Sequence, residues 1–179
     1  LVNPNKHDAS DVGDEPLMIS KISKVWVTRD KKSGIIAAYN SGAKIVILDD
    51  GFQNPSVFKD LSLLVIDTDF NFWNGNIFPL GPLRESLVSA MIRTNLILCL
   101  GKYDSRKSFI KKIKTPSNIL MLEGQLKPET YPSDLQERNL IAFCGIAMPE
   151  KFFQTLKNLG LNVVETIQFP DHFKYSENY

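Results

Sequence analysis

Two acidic pairs, one Asp-His pair and one Arg-Glu pair carry most of the chemistry that this sequence could perform. Asp49-Asp50-Gly51 closes the apolar run Ile45-Val46-Ile47-Leu48. Carboxylates at the C-terminal edge of a buried strand offer the hard oxygen ligands that Mg²⁺ takes in near-octahedral geometry. An apolar run ending in aspartate also matches the magnesium-holding strand of nucleotide-hydrolysing α/β proteins. The same residues read equally well as a turn, since Asp-Gly is a common turn pair. Asp14-Glu15-Pro16 stands ahead of Leu17, Met18 and Ile22. Aspartate before a helix with proline in its first turn reads as a cap. The functional alternative is a carboxylate held at the positive helix end, facing a crevice. Asp171-His172 follows Phe169-Pro170 and reads either as a proton relay or as an exposed loop histidine. Arg84 could grip a phosphate bidentately or form a surface charge pair with Glu85.

Other chemistries find less support. Cys99 and Cys144 lie far apart inside apolar runs, where a thiol behaves as a small buried hydrophobe, and no His/Cys spacing suggests zinc. No Ser-centred nucleophile elbow occurs, and His7 stands alone in a polar stretch. Residues 102–114 hold six basic side chains against one acidic. They read as a solvated helix face or as a contact for anionic lipid headgroups.

The elements that must position these groups alternate between short β-branched runs and helical stretches, which predicts a mainly parallel sheet covered by helices. Strands are expected at residues 25–28, 45–48, 63–66, 96–100, 119–122 and 140–144, and another begins at Val163. The all-apolar run at 45–48 is expected to be a central strand buried on both faces. Helices are expected over residues 31–41 and 84–93, and after Pro149, where Phe152, Phe153, Leu156 and Leu159 make one apolar face. A loop rich in Asn, Gly and Pro fills 69–82, and residues 127–138, with two prolines, make the best linker.

Of the 179 residues, 43% are hydrophobic and 23% charged, which argues for a packed globular chain rather than disorder. A formal net charge of +1 supplies no global field to recruit nucleic acid. No apolar run reaches the roughly 18 residues of a membrane helix, and the thiol usage suits a reducing cytosol.

Five segments, in this order, resemble the tetraacyldisaccharide 4′-kinases of lipid A biosynthesis. They are Asp11-Val12-Gly13-Asp14-Glu15-Pro16-Leu17, Asp49-Asp50-Gly51-Phe52-Gln53, Gly81-Pro82-Leu83-Arg84-Glu85, Gly145-Ile146 with Pro149-Glu150-Lys151-Phe152-Phe153, and Phe169-Pro170-Asp171-His172. The resemblance implies a P-loop NTPase-like core, an α/β domain with a mainly parallel sheet and helices on both faces, plus part of a second, smaller α/β domain. The expected boundaries are 1–126 for the core, 127–138 for the linker and 139–179 for the second domain. It further implies a cytoplasmic kinase, peripheral on the inner membrane, using ATP and Mg²⁺ to phosphorylate the 4′-hydroxyl of an acylated glucosamine disaccharide. Asp14 matches the catalytic aspartate and His172 its histidine partner. Asp49 and Asp50 match the acidic pair near the magnesium, with Glu15 as a contributor. Arg84, Glu85 and Gln53 are expected at the substrate.

The sequence departs from the family's pattern at Asn54 and at Phe173, where histidines are usual. No Gly-x-x-x-x-Gly-Lys occurs, so the phosphate loop is expected upstream of Leu1, and the chain reads as a fragment cut at both ends. Two other readings stay open: a metal-dependent hydrolase using Asp49, Asp50 and Asp171, and a non-catalytic, partner-binding fragment.

Overall fold

A computed structural model describes residues 1–69, 76–128, 131–173 and 175. The chain separates into two compact units, Leu1–Leu126 and Lys127–Tyr179. Parts of the expected loop at 69–82 and of the expected linker lie outside the described residues.

The first unit begins with two short helices, α1 (Ala9–Val12) and α2 (Asp14–Ser20), and a longer one, α3 (Lys31–Asn40). α1 is nucleated by a capping box: the Asp8 side chain accepts from the Ser10 and Asp11 amides while Asp11 returns a bond to the Asp8 amide. Asp30 caps α3 in the same manner, accepting from Lys32 and Ser33. Strands and helices then alternate: β1 (Leu63–Asp67), α4 (Leu87–Ile92), β2 (Leu96–Leu100), α5 (Tyr103–Lys112) and β3 (Leu120–Gly124). The three strands form one parallel sheet in the order β1-β2-β3, with Leu64 opposite Ile97 and Ile97 opposite Met121. β2 is central, which explains why all five of its residues are apolar. Ile97 and Cys99 are fully buried and join Ile66 and Ile119 in the core. α4 packs against it through Leu87 and Met91, and α5 through Phe109 and Ile110. Leu63, Val65, Leu120 and Leu122, which alternate with the core residues, are exposed.

Two expected strands are absent. Residues 45–48 form no strand and pair with no described strand, and Ile45 and Ile47 are 83% and 89% exposed. Residues 25–28 make a single ladder-like bond, from the Val2 amide to the Val25 carbonyl at 2.8 Å. Apolar, β-branched sequence favours a strand only where a neighbouring backbone supplies hydrogen bonds. Among the described residues the 45–48 run has no such neighbour, and the 25–28 run has only the one bond from Val2.

The second unit is a β-α-β element preceded by a 3₁₀ turn at Ser133–Glu137. β4 (Leu140–Cys144) and β5 (Val163–Gln168) are parallel, joined through α6 (Pro149–Asn158), whose Phe152, Phe153 and Leu156 are half-buried together with Leu159 at its C-cap. Their register slips after Leu140, so that Ile141 faces Glu165. Both cysteines are buried and unbridged, as expected, and burial pushes both thiols up.

Candidate active site

The Asp49-Asp50 turn is held by close packing rather than by a strand. Gly51 is buried, and a Cβ there would stand 2.5 Å from the Leu48 Cβ, so no larger residue fits. Asp50 takes the left-handed conformation (φ 46°), which aspartate tolerates better than most residues. The turn thereby presents two exposed carboxylates beside one another. The Lys31 ammonium reaches the Asp49 carbonyl at 3.4 Å from the first residue of α3.

This turn is cross-linked to the second motif of the unit. Arg84 Nη1 donates to both carboxylate oxygens of Asp50 at 2.8 Å. Gln53 Nε2 donates to Glu85 Oε1 at 3.2 Å. Arg84 and Glu85 therefore do not pair with each other. Nor do they lie in a helix, since α4 starts three residues later than expected, with Ser86 as its N-cap accepting from the Ser89 amide. Arg93 was not among the sequence candidates. Its Nη2 donates to Glu85 Oε1 at 2.6 Å, and its guanidinium carbon lies 5.1 Å from the centroid of the Phe52 ring. No helical spacing signals this pair, because Glu85 precedes the N-cap of α4 and Arg93 is its C-cap, eight positions on. The bond from Arg93 does most to hold the Glu85 carboxyl below the ordinary carboxylate range, with smaller help from Gln53. The bond to Asp50 strengthens the hold of Arg84 on its proton. An open cleft of about 930 Å³ runs past Phe52, Gln53, Lys59, Glu85 and Arg93. A smaller cavity lies between Gln53, Arg84, Glu85 and the β1 residues Leu64 and Ile66. The Gln53–Glu85 pair lines both.

Asp14 is not a cap. It is the first residue of α2, whose N-cap is Gly13 with no side-chain cap bond, and its Oδ1 accepts from the Glu15 amide at 3.1 Å. Asp14 and Glu15 are both exposed. Among the described residues no three His, Cys, Asp or Glu side chains converge on one point, so Glu15 does not complete a cluster with Asp49 and Asp50. The donor set still suits Mg²⁺, which is commonly held by one or two carboxylates plus substrate phosphates and waters.

In the second unit, the Asp171-His172 turn is strapped to the end of β4. The Phe169 amide donates to the Cys144 carbonyl at 2.9 Å and the His172 amide to the Gly145 carbonyl at 3.1 Å. A Cβ at Gly145 would come within 2.9 Å of the Phe173 Cβ and the Pro170 carbonyl, so glycine is what allows the turn to close. Phe173 stacks on Phe169 at 4.5 Å, and Tyr175 meets both rings edge-on. His172 is exposed, with φ 55° and Nε2 3.8 Å from Asp171 Oδ2. At the other departure from the family pattern, the Asn54 side chain accepts from the amide and hydroxyl of Ser56 and closes a local turn. His7 does the same at the chain's start, accepting from the Asn3 amide through Nδ1.

A family model described as tetraacyldisaccharide-1-P 4′-kinase matches residues 1–179. Proteins named tetraacyldisaccharide 4′-kinase from Rhodospirillum centenum and Rhodospirillum rubrum are 42% and 40% identical over 176 residues, covering 98% of this chain. The chain spans about half the length of these curated relatives, 51% and 53%. LpxK of Aquifex aeolicus, solved in complex with ATP, is similar in structure with a TM-score of 0.71 and 27% identity, covering 96% of this chain and 56% of that one.

Proposed function

The chain belongs to the tetraacyldisaccharide-1-P 4′-kinase family, and on that premise we propose that the protein carrying it moves the γ-phosphoryl of ATP to the 4′-hydroxyl of an acylated glucosamine disaccharide 1-phosphate. The observation that carries this reading is the cross-linked acidic turn. Asp50 and Gln53 of one motif are tied to Arg84 and Glu85 of another, across 34 and 32 positions of sequence. A phosphoryl-transfer site needs acids for a divalent cation beside cations for phosphate, since positioning and charge stabilisation do most of the work. Residues 1–126 serve as the kinase core and 139–179 as part of a second domain, with the linker at 127–138 between them.

In this reading Asp14 accepts the proton of the sugar hydroxyl, and His172 keeps that carboxylate in its working state. Asp49 and Asp50 would hold Mg²⁺ through their carboxylate oxygens, leaving its other positions to substrate phosphates and water. Charge on the β- and γ-phosphates is offset by that ion when it is bound. Arg84 meets the anionic substrate, and Glu85 and Gln53 fix the wall it approaches. Among the described residues no helix is long and apolar enough to cross a membrane. We place the protein in the cytoplasm, peripheral on the inner membrane, where its acylated substrate resides. No nucleic-acid partner enters this reading.

The test is transfer of labelled γ-phosphoryl from ATP to tetraacyldisaccharide 1-phosphate by the intact protein, with and without Mg²⁺. The expected outcome is a magnesium-dependent 4′-phosphate ester. The 179-residue chain alone, which contains no Gly-x-x-x-x-Gly-Lys, is expected to give none. Metal-dependent hydrolysis without transfer would favour a hydrolase, and neither activity would favour a partner-binding role.

A further inference from the structure

The Asp50–Arg84 pair joins the side chain proposed to hold a divalent cation to the side chain proposed to meet phosphate. Both Asp50 oxygens are occupied by one guanidinium nitrogen at 2.8 Å. A divalent cation needs at least one of those oxygens. A guanidinium that close to such an ion would also repel it, because like charges a few ångströms apart interact strongly even at the dielectric of a protein surface. Retention of Arg84 on Asp50 and entry of a divalent cation are therefore in competition. The pair is built to be broken: the side chains are 65% and 67% exposed, and exposed ion pairs are weak. Arg84 has no other ion partner among the described residues, so nothing else there draws it away from the carboxylate.

We propose that Arg84 is the resident counter-cation of Asp50, a side chain that a divalent cation must displace to reach this carboxylate. The proposal rests on the reading of Asp50 as a divalent-cation ligand. It goes beyond that reading in giving Arg84 a role before any phosphate arrives. Arg84 keeps the carboxylate neutralised in the absence of metal and weakens metal binding at the turn.

The experiment is a titration of the intact protein with Mn²⁺ alone, without nucleotide, reading free Mn²⁺ by its electron paramagnetic resonance signal. Arg84→Gln is expected to bind Mn²⁺ about two- to fivefold more tightly than the parent at low ionic strength. The gain should shrink toward 1 M salt, where the screening length falls to about 3 Å. Arg84→Lys, which keeps the charge but loses the planar fork, should fall between the two. Asp50→Asn should lose most of the binding. Unchanged or weaker Mn²⁺ binding in Arg84→Gln, with Asp50→Asn still defective, would overturn the counter-cation role and leave the ligand reading standing. Undiminished binding in Asp50→Asn would remove the ligand reading and the proposal together.

Discussion

The first unit contains two regions made to different rules. Residues 63–124 form a three-stranded parallel sheet whose central strand is paired on both edges and whose core residues Ile97 and Cys99 are fully buried. Residues 8–53 carry the acidic motifs and contribute no strand; their apolar run at 45–48 is largely exposed, and two of their three helices, α1 and α3, are capped by a local aspartate. The first region is held by burial and the second by caps, one tight glycine turn and a few side-chain links to the first. Substitutions should divide accordingly: those in the acidic region should change chemistry, those in the sheet should change stability, and those at the join should do a little of the latter.

The largest effect expected is on rate. Asp14→Ala in the intact protein should lower kcat by about 10² to 10⁴, the range for a general base, with the thermal midpoint nearly unmoved. Gly13, not Asp14, caps α2, so no side-chain cap is lost. His172→Ala should fall in the same range, and the double variant should be scarcely slower than the worse single one, because groups acting as a unit are strongly non-additive. Steady-state kinetics and thermal scans of the three variants decide it. Losses that multiply independently, or a defect in stability alone, would break the comparison at its functional end.

The sheet should give the next largest effect. Ile97→Ala removes a fully buried side chain from the central strand and should cost about 2–5 kcal/mol. Ile47→Ala, equally apolar but 89% exposed, should stay within about 0.5 kcal/mol. Denaturant unfolding of the 179-residue chain measures both. Equal costs would mean that burial does not separate the two regions.

Much of the second half was legible in the sequence, and the failures share one cause. Residues 96–100 and 140–144 are strands as expected because each has a partner nearby in sequence, reached through one crossover helix. Residues 25–28 and 45–48 are similarly apolar and β-branched, but a strand is a property of a pair; among the described residues 45–48 has no partner and 25–28 only one bond from Val2. Local pattern picks out Asp49, Asp50, Arg84 and Glu85 but says nothing of which side chains they meet across the chain. The Asp50–Arg84 bond spans 34 positions, and no periodicity reports a contact at that range. The cap reading of Asp14 fails because a glycine with φ 92° takes the capping position one residue earlier.

The smallest effect should come from the join itself. Glu85 receives Arg93 at 2.6 Å and Gln53 at 3.2 Å, linking α4 to the acidic turn. Its carboxyl is held below the ordinary range, chiefly by the Arg93 bond. A depressed carboxyl contributes stability that is fully present above its unfolded pKa, about 4.3 for glutamate, and lost as pH falls through its lower folded value. Stability arising from this residue should therefore be flat from neutral pH to about 5 and decline below about 4. The Arg93 side chain is 45% exposed, so solvent screening limits the contribution to about 1 kcal/mol or less. Glu85→Gln keeps the shape and removes the charge. At pH 7 it should lower the thermal midpoint by a few degrees at most, about 2–4 °C per kcal/mol for a chain of this size. The gap from the parent should close as both are acidified, because the parent's own carboxyl is then neutral. Thermal midpoints of parent and variant at half-unit steps from pH 7 to pH 3 would show it. A gap that persists undiminished at pH 3 would mean that Glu85 joins the two regions by shape, through its packing between Gln53 and Arg93, and not by its charge.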